Sequence, residues 1–467
     1  VALTRLFALS TSLWDWDEAL FCSALREYDV VHYRPHPPGY PLFIALGQVT
    51  RLLFDSDFRA LQALNVLGSM ALFPLVYLLA RELRFAFRTS YLGALLFAFF
   101  PNVWFYGGTA YSEIISLAVA LAAMILLLRG RLSGAFVLAL AAAIRPQIAL
   151  IGIIPFWKAA SRPPLSYRRF TAFISLFAAV TLAAYVSAAF FSESVSGYLD
   201  VLRHQGNYFR TVDSFMNPER ESLGVLADRF LFEAMPGAGR AAAVAVFAVI
   251  ALVAAAVRRQ WSVFQLAAIF LPHALAAWLM FDQLAVARYT LPHVTMHAVL
   301  AAEGIGVVAA LFGRFAARLQ TLLVAALIAL FVIWTAPGLR VVATSDAPPV
   351  AAMKLIRRAV PADETIYAFH SLSPFTHYYL ADRRVVHVRA ASEAPPDAVY
   401  VAEGRLSGGD VRTFERERNP LTRIARRRYF TVSVRMRATT AAASEATRSR
   451  SSGGSITSAR GPSPRTM

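Results

Sequence analysis

The chain has 467 residues, 57% of them hydrophobic and only 16% charged, with a mean hydropathy of +0.51. Soluble globular chains carry about 25% charged residues, so a string of soluble domains is excluded, and the apolar content excludes a disordered chain. The single cysteine, Cys22, excludes an internal disulfide and any cysteine-based metal cluster. What remains is a polytopic membrane protein. The formal net charge of +17 divides into +10 over residues 338–467 and +7 over the first 337 residues. It is not one nucleic-acid-binding surface, and no nucleic-acid partner is expected.

Val1–Leu13 is too short to span a bilayer, so the sequence predicts a further apolar helix upstream that places the next loop outside. That loop reads Trp14-Asp15-Trp16-Asp17-Glu18, followed by an amphipathic stretch, Ala19–Tyr28. Tryptophan is at home at the membrane surface, whereas carboxylates there are costly unless they have a task. Capping of the helix that follows is the alternative use for these acids, since carboxylates favour a helix N-terminus. The loop closes on Arg34-Pro35-His36-Pro37-Pro38-Gly39-Tyr40-Pro41.

Nine apolar runs follow: Ala60–Ala80, Thr89–Gly107, Ser112–Leu128, Leu132–Trp157, Phe170–Phe191, Gly239–Val257, Trp261–Met280, Tyr289–Phe312 and Leu319–Pro337. Most have the roughly 17–25 residues that a spanning helix needs. Basic residues cluster between them at Arg81/Arg84/Arg88, Arg129/Arg131, Lys158/Arg162/Arg168/Arg169, Arg258/Arg259 and Arg314/Arg318. Short cytoplasmic loops retain such residues. All five clusters share one side only if Leu132–Trp157 enters and returns. Its turn is Arg145-Pro146, where proline interrupts a helix, and each arm is too short for the ~30 Å hydrocarbon core. The hairpin gives about ten passes and puts Val1–Asp57, Ser192–Pro236 and everything after Pro337 outside.

Beyond the last run, Thr365–Phe369, Arg384–Val388, Ala398–Ala402 and Tyr429–Val434 alternate with turns as short β-strands do. The expected class is therefore mainly α: a polytopic transmembrane helical bundle over residues 1–337, a small extracytoplasmic α/β domain over 338–433, and a disordered tail over 434–467.

Several residues could carry chemistry. Tyr111-Ser112-Glu113 opens the third run. Arg145 lies inside an apolar run, where an ionisable group marks a functional site; a structural salt bridge to Glu113 is the other reading. Arg288-Tyr289 stands at the outer boundary of the eighth run, and arginine matches phosphate geometry. Leu202–Arg210 contains Arg203 and His204 among aromatics, which suits an anionic or sugar ligand and equally an interfacial helix. His293 and His297 lie one turn apart and read as a packed pair, as does His273 beside Pro272.

In this order, Asp17-Glu18, His36-Pro37-Pro38-Gly39-Tyr40-Pro41, Tyr111-Ser112-Glu113, Arg145-Pro146 and Arg288-Tyr289-Thr290-Leu291-Pro292 resemble the GT-C glycosyltransferases. The nearest likeness is to the protein O-mannosyltransferase and aminoarabinose transferase-like enzymes and to the bacterial RgtA/B/C/D-like group. The resemblance covers roughly residues 12–340. It implies a cell-membrane enzyme, a hexosyl- or pentosyltransferase, that takes a sugar from a polyprenyl-phosphate donor. The acceptor would be a glycan, lipid or protein, with the active site facing outside the cytoplasm. On this reading Asp17, with Glu18 beside it, is the catalytic carboxylate; Arg145, Arg288 and Tyr289 bind the donor phosphate. Asp15, His36, Tyr111, Glu113, Arg203 and His204 bind substrate. A divalent metal on Asp17 and Glu113 is a possible cofactor, because hard cations take carboxylate oxygens. A lipid or sugar transporter is the rival class, since it shares broken helices and intramembrane charges.

Overall fold

The computed structural model describes residues 1–163, 166–228, 238–281, 286–407, 410–416 and 431–437. They form two compact units, one over Val1–Ala347, the other over Pro348–Arg416 joined by the last strand. In the first, α1 (Ala2–Leu6), α2 (Trp16–Arg26) and α3 (Pro41–Arg51) precede the long helix α4 (Asp57–Glu82). Then come α5 (Phe87–Ala98), α6 (Pro101–Tyr106), α7 (Glu113–Leu128), α8 (Ser133–Ile144), α9 (Ile153–Ala160), α10 (Tyr167–Phe190), α11 (Val195–Tyr208) and α12 (Leu223–Asp228). The unit ends with α13 (Ala238–Arg258), α14 (Trp261–Met280), α15 (Val286–Tyr289), α16 (Leu291–Ala310) and α17 (Ala316–Thr344).

Among the described residues six helices are long and apolar enough to cross a membrane: α4, α10, α13, α14, α16 and α17. This is a membrane protein. The run expected over Thr89–Gly107 is divided: Pro101 begins a new helix, so α5 and α6 share it. The last run does not stop at Pro337; α17 carries that proline inside and continues to Thr344.

Leu132–Trp157 enters and returns. Helix α8 ends at Ile144, Arg145 is extended, and a 3₁₀ turn over Pro146–Gly152 leads into α9. The two ends of this segment meet. Arg162 donates to the Arg129 carbonyl (3.1 Å) and Arg169 to the Gly130 carbonyl (2.7 Å). Arg129 also pairs with Glu82 at the end of α4 (2.8 Å), and Arg84, Arg129, Lys158, Arg162 and Trp261 line one cavity. Helix α16 runs from beside Arg288 toward Arg314, and Glu303 in its second half accepts from Thr89 at the start of α5 (2.8 Å). The basic clusters thus gather at one end of the bundle, and Glu113 and Arg288 stand at the other.

Small residues set the helix spacing. Lipid supplies no hydrophobic drive between helices, so close backbone approach replaces it. A Cβ on Gly304 of α16 would sit 1.8 Å from the Phe247 carbonyl oxygen of α13, and one on Gly68 of α4 would sit 2.8 Å from the Ile115 Cα of α7.

The second unit carries a five-stranded sheet, β1 (Ile366–Phe369), β2 (Val385–Val388), β3 (Val399–Glu403), β4 (Val411–Glu415) and β5 (Thr431–Arg435), in the order β2-β1-β3-β5-β4. β1 is parallel to β2 and β3, while β5 is antiparallel to β3 and β4. Helices α18 (Pro348–Ala359) and α19 (Ser373–Tyr379) complete it. The four expected strands are present, and β4 is an addition. Strand β5 takes residues expected to open the tail, whose remainder from 438 lies outside the described residues.

Gly304→Ala should lower the unfolding free energy by about 1–3 kcal/mol through overpacking, read as a fall in Tm in detergent. Gly206→Ala on α11, where a Cβ meets nothing within 4 Å, should leave Tm unchanged or slightly raised.

Candidate active site

Four segments deliver four charges to one point. Asp17 sits in the first turn of α2. Glu113 opens α7. Arg145 caps α8, and Arg288 lies in α15 just before α16. All are buried, with exposures of 8%, 5%, 3% and 4% respectively. An isolated charge at such depth is strongly disfavoured, so each needs a partner. Arg288 donates from Nη1 to Asp17 Oδ2, and its Nε lies 2.9 Å from Glu113 Oε1. Arg145 Nη2 lies 3.0 Å from the same Glu113 oxygen, while its Nη1 donates to Ser112 Oγ (3.0 Å). The result is one chain, Asp17–Arg288–Glu113–Arg145, with two positive and two negative groups.

Local sequence explains each placement. Pro146 pushes the residue before it into extended backbone, and Arg145 has φ −156° and ψ 110°. The helix therefore stops where its arginine turns into the bundle. With its amide oxygen turned toward the arginine, Gln147 accepts from Arg145 Nε at 2.7 Å and Nη2 at 2.9 Å. Arg288 is steadied from behind: Asn102 donates to Thr290 Oγ1 (3.0 Å) and the Ala287 carbonyl (3.3 Å). Aromatic faces cover the guanidinium groups. Arg288 lies 5.1 Å from the Tyr111 ring and 5.3 Å from Tyr289; Arg145 lies 5.7 Å from Tyr289 and 5.8 Å from Tyr40. Such cation–π contacts strengthen when desolvated.

The His36–Tyr40 turn completes one wall. His36 Nδ1 is 3.9 Å from Asp17 Oδ1, and His36 Nε2 shares a hydrogen bond with the Tyr40 hydroxyl (2.8 Å). Gly39 has φ +105°, and a Cβ there would lie 2.5 Å from the Tyr28 hydroxyl, so glycine is required. Tyr40 itself is left-handed at φ 47°, a conformation costing about 1–2 kcal/mol in a non-glycine residue; its ring is thereby held beside Arg145.

Other expected site residues do different work. Glu18 is fully buried, but it follows Asp17 by about 100° around the helix and points elsewhere. Its carboxylate accepts the backbone N–H groups of Trp14 (2.6 Å), Asp15 (3.2 Å) and Ala110 (2.8 Å), fastening the first loop to the Tyr106–Tyr111 turn. Burial pushes this carboxyl up to about 8, against the pull of those N–H groups. Asp15 caps α2, and with Glu18 it forms a capping box. Arg203 and His204 are exposed on α11, Arg203 pairing with Asp200 at 2.7 Å; the structure does not bring them to the cluster.

Three polar residues within or beside the apolar runs were passed over by sequence reasoning. Besides Asn102, Gln62 donates to the Gly108 carbonyl (2.6 Å), and Asn65 to those of Tyr106 (2.6 Å) and Thr109 (3.1 Å). They hold the turn that presents Tyr111 and Glu113. An amide in an apolar run was the available signal, since such groups require partners in a membrane interior.

No protein-family model matches the chain, and no curated protein matches it in sequence. Solved structures do match. ArnT from Cupriavidus metallidurans in the apo state aligns with a TM-score of 0.56 at 12% identity, over 92% of this chain and 95% of that one. The same protein bound to undecaprenyl phosphate gives 0.56 at 13% identity, over 93% and 96%. The Archaeoglobus fulgidus oligosaccharyltransferase in the apo form gives 0.54 at 13% identity, over 83% of this chain and 64% of that one. The chain thus spans less than two thirds of the archaeal protein. At 12–13% identity the likeness establishes the fold alone: the chain folds as ArnT and the archaeal oligosaccharyltransferase do.

Proposed function

We propose that the chain is an integral-membrane glycosyltransferase that moves a sugar from a polyprenyl-phosphate-linked donor to a hydroxyl on an extracytoplasmic glycan, lipid or protein. The observation that carries this reading is the buried chain Asp17–Arg288–Glu113–Arg145, assembled at the end of the bundle opposite the basic clusters. Short loops rich in arginine stay in the cytoplasm, so the opposite end faces out. A donor on a lipid carrier suits a site of this depth, reached from the bilayer. The undecaprenyl phosphate held by the similarly folded ArnT supports that choice of carrier.

In this reading the acceptor oxygen attacks the anomeric carbon as its proton passes to Asp17. The bond from that carbon to the phosphate oxygen breaks, and the electron pair leaves with the lipid phosphate, which gains one negative charge. Arg145 and Arg288 are fixed donors for that growing charge, the kind of preorganised stabilisation that lowers such barriers most. One displacement inverts the anomeric centre. Glu113 keeps the two guanidinium groups close to each other while no phosphate is bound. A divalent ion on Asp17 and Glu113 does not fit this arrangement, because Arg288 lies between the two carboxylates and pairs with both. No step is assigned to a metal.

Two variants test the assignment in purified protein reconstituted into liposomes with a polyprenyl-phosphate sugar. Asp17→Asn removes the base yet leaves an amide oxygen for Arg288, so turnover should fall by about 10²–10⁴ while the protein stays folded. Near-normal turnover would remove Asp17 from this role. Arg145→Lys keeps a charge but loses the planar fork that serves Ser112, Glu113 and Gln147 together. Donor affinity should fall about tenfold or more, measured as a rise in KM; an unchanged KM with a lowered Tm would make Arg145 a structural residue only.

A further inference from the structure

The narrow gap beside Arg145, Arg288 and Glu113, about 10 Å³ and so widened by any phosphate that enters it, has one more polar wall. His273 of α14 lines it, next to Gln147 and Tyr289. It is 2% exposed, and its Nδ1 is buried with no hydrogen-bond partner. Its edge-on packing against Phe281, with ring centroids 5.9 Å apart, does not satisfy that nitrogen. Buried polar atoms almost always have a partner, and an exception calls for an explanation such as a ligand. The sequence treats His273 as a packing residue, and packing alone would be served better by an apolar side chain of the same size.

Arg145 donates from Nη1 to Ser112, its Nη2 lies 3.0 Å from Glu113, and Gln147 serves its Nε; Arg288 donates from Nη1 to Asp17, while its Nε lies 2.9 Å from Glu113 as an ion pair without hydrogen-bond geometry. A phosphate that binds them meets guanidinium groups already ion-paired with Asp17 and Glu113. The Nδ1 of His273 has no protein acceptor to give up.

We propose that His273 is a third binding group for the phosphate of the lipid-linked donor, its Nδ1–H donating to a phosphoryl oxygen that lies between Arg145 and Arg288. This rests on the function proposed above and adds to it a ligand contact from α14, a helix that the motifs Asp17-Glu18, Arg145-Pro146 and Arg288-Tyr289 do not reach. It assigns the proton of the neutral ring to Nδ1, a tautomer that the bound phosphate would select. The ligand class is a phosphate oxyanion, and the position of the cavity inside a membrane bundle assigns it to a lipid rather than to free phosphate.

The test is binding of polyprenyl monophosphate to the full-length protein in nanodiscs, with Tm measured on the same samples. His273→Leu fills the space without a donor. It should weaken binding about tenfold or more, the effect of losing one hydrogen bond to a charged group, and should leave Tm unchanged or raised, because the uncompensated nitrogen is gone. His273→Asn places an amide near the position of Nδ1 and should restore binding to within a few-fold of wild type. A lowered Tm with unchanged binding in His273→Leu would make His273 a packing residue and overturn the inference. Equal loss in the Leu and Asn variants would overturn the hydrogen bond. Inorganic phosphate should compete only at millimolar concentration; competition at micromolar concentration would overturn the lipid assignment. Wild-type protein that fails to bind polyprenyl monophosphate would overturn the underlying functional reading, a result distinct from the failure of His273 alone.

Discussion

The structure of the bundle depends on the pairing of four buried charges. Two carboxylates and two guanidinium groups lie out of water, and removing one partner from such a set typically costs about 3–5 kcal/mol, because its neighbour is left uncompensated. The charges come from α2, α7, the end of α8 and α15, so none of these segments can move away alone. The neutrality of the set also makes it responsive. A phosphate brings negative charge to a balanced site and competes with Asp17 and Glu113 for the same donors. Under the proposed function, that competition would loosen the Asp17–Arg288 pair as the donor binds.

The irregular helices follow from this demand. A straight helix through Leu132–Trp157 would carry Arg145 at its midpoint, within the hydrocarbon core. Breaking it at Pro146 lets the arginine face inward, and Tyr185 from α10 satisfies the Ala142 carbonyl near the break (2.8 Å). Irregular backbone at membrane depth is tolerated when it is buried in protein in this way. Gln62, Asn65 and Asn102 serve the same end: each puts an amide into the apolar interior and pairs it with backbone or a hydroxyl of the site loops. Asp57 works at the rim, where Arg26 of α2 (2.7 Å) and Arg51 of α3 (3.0 Å) converge on it and tie both to the start of α4.

Much of this was legible in the sequence. The apolar runs, the return at Arg145-Pro146 and four of the five strands come from local composition, and local composition is what hydropathy and turn chemistry report. Arg145 and Glu113 were legible as charges in the wrong solvent. The joining of that pair to Arg288 and Asp17 was not, because it links residues up to 271 positions apart, from Asp17 to Arg288. Glu18 illustrates a different limit. Two adjacent acids look alike in a sequence, but a helix turns them to different neighbours, and one binds backbone while the other meets an arginine. Arg203 and His204 have the residue types of a ligand site, and their exposure on α11 separates them from it. His273 reads as a packing residue in the sequence, because a lone histidine beside proline carries no further signal until its surroundings are known.

On the proposed function, the charge chain is the seat of the donor phosphate. An experimental structure of the protein with polyprenyl monophosphate bound tests it most directly. Phosphate oxygens should lie within hydrogen-bond distance of both Arg145 and Arg288, with the Asp17–Arg288 pair opened and the Asp17 carboxylate turned toward the acceptor side. A phosphate seated elsewhere in the bundle, with all four charges still paired to one another, would contradict it.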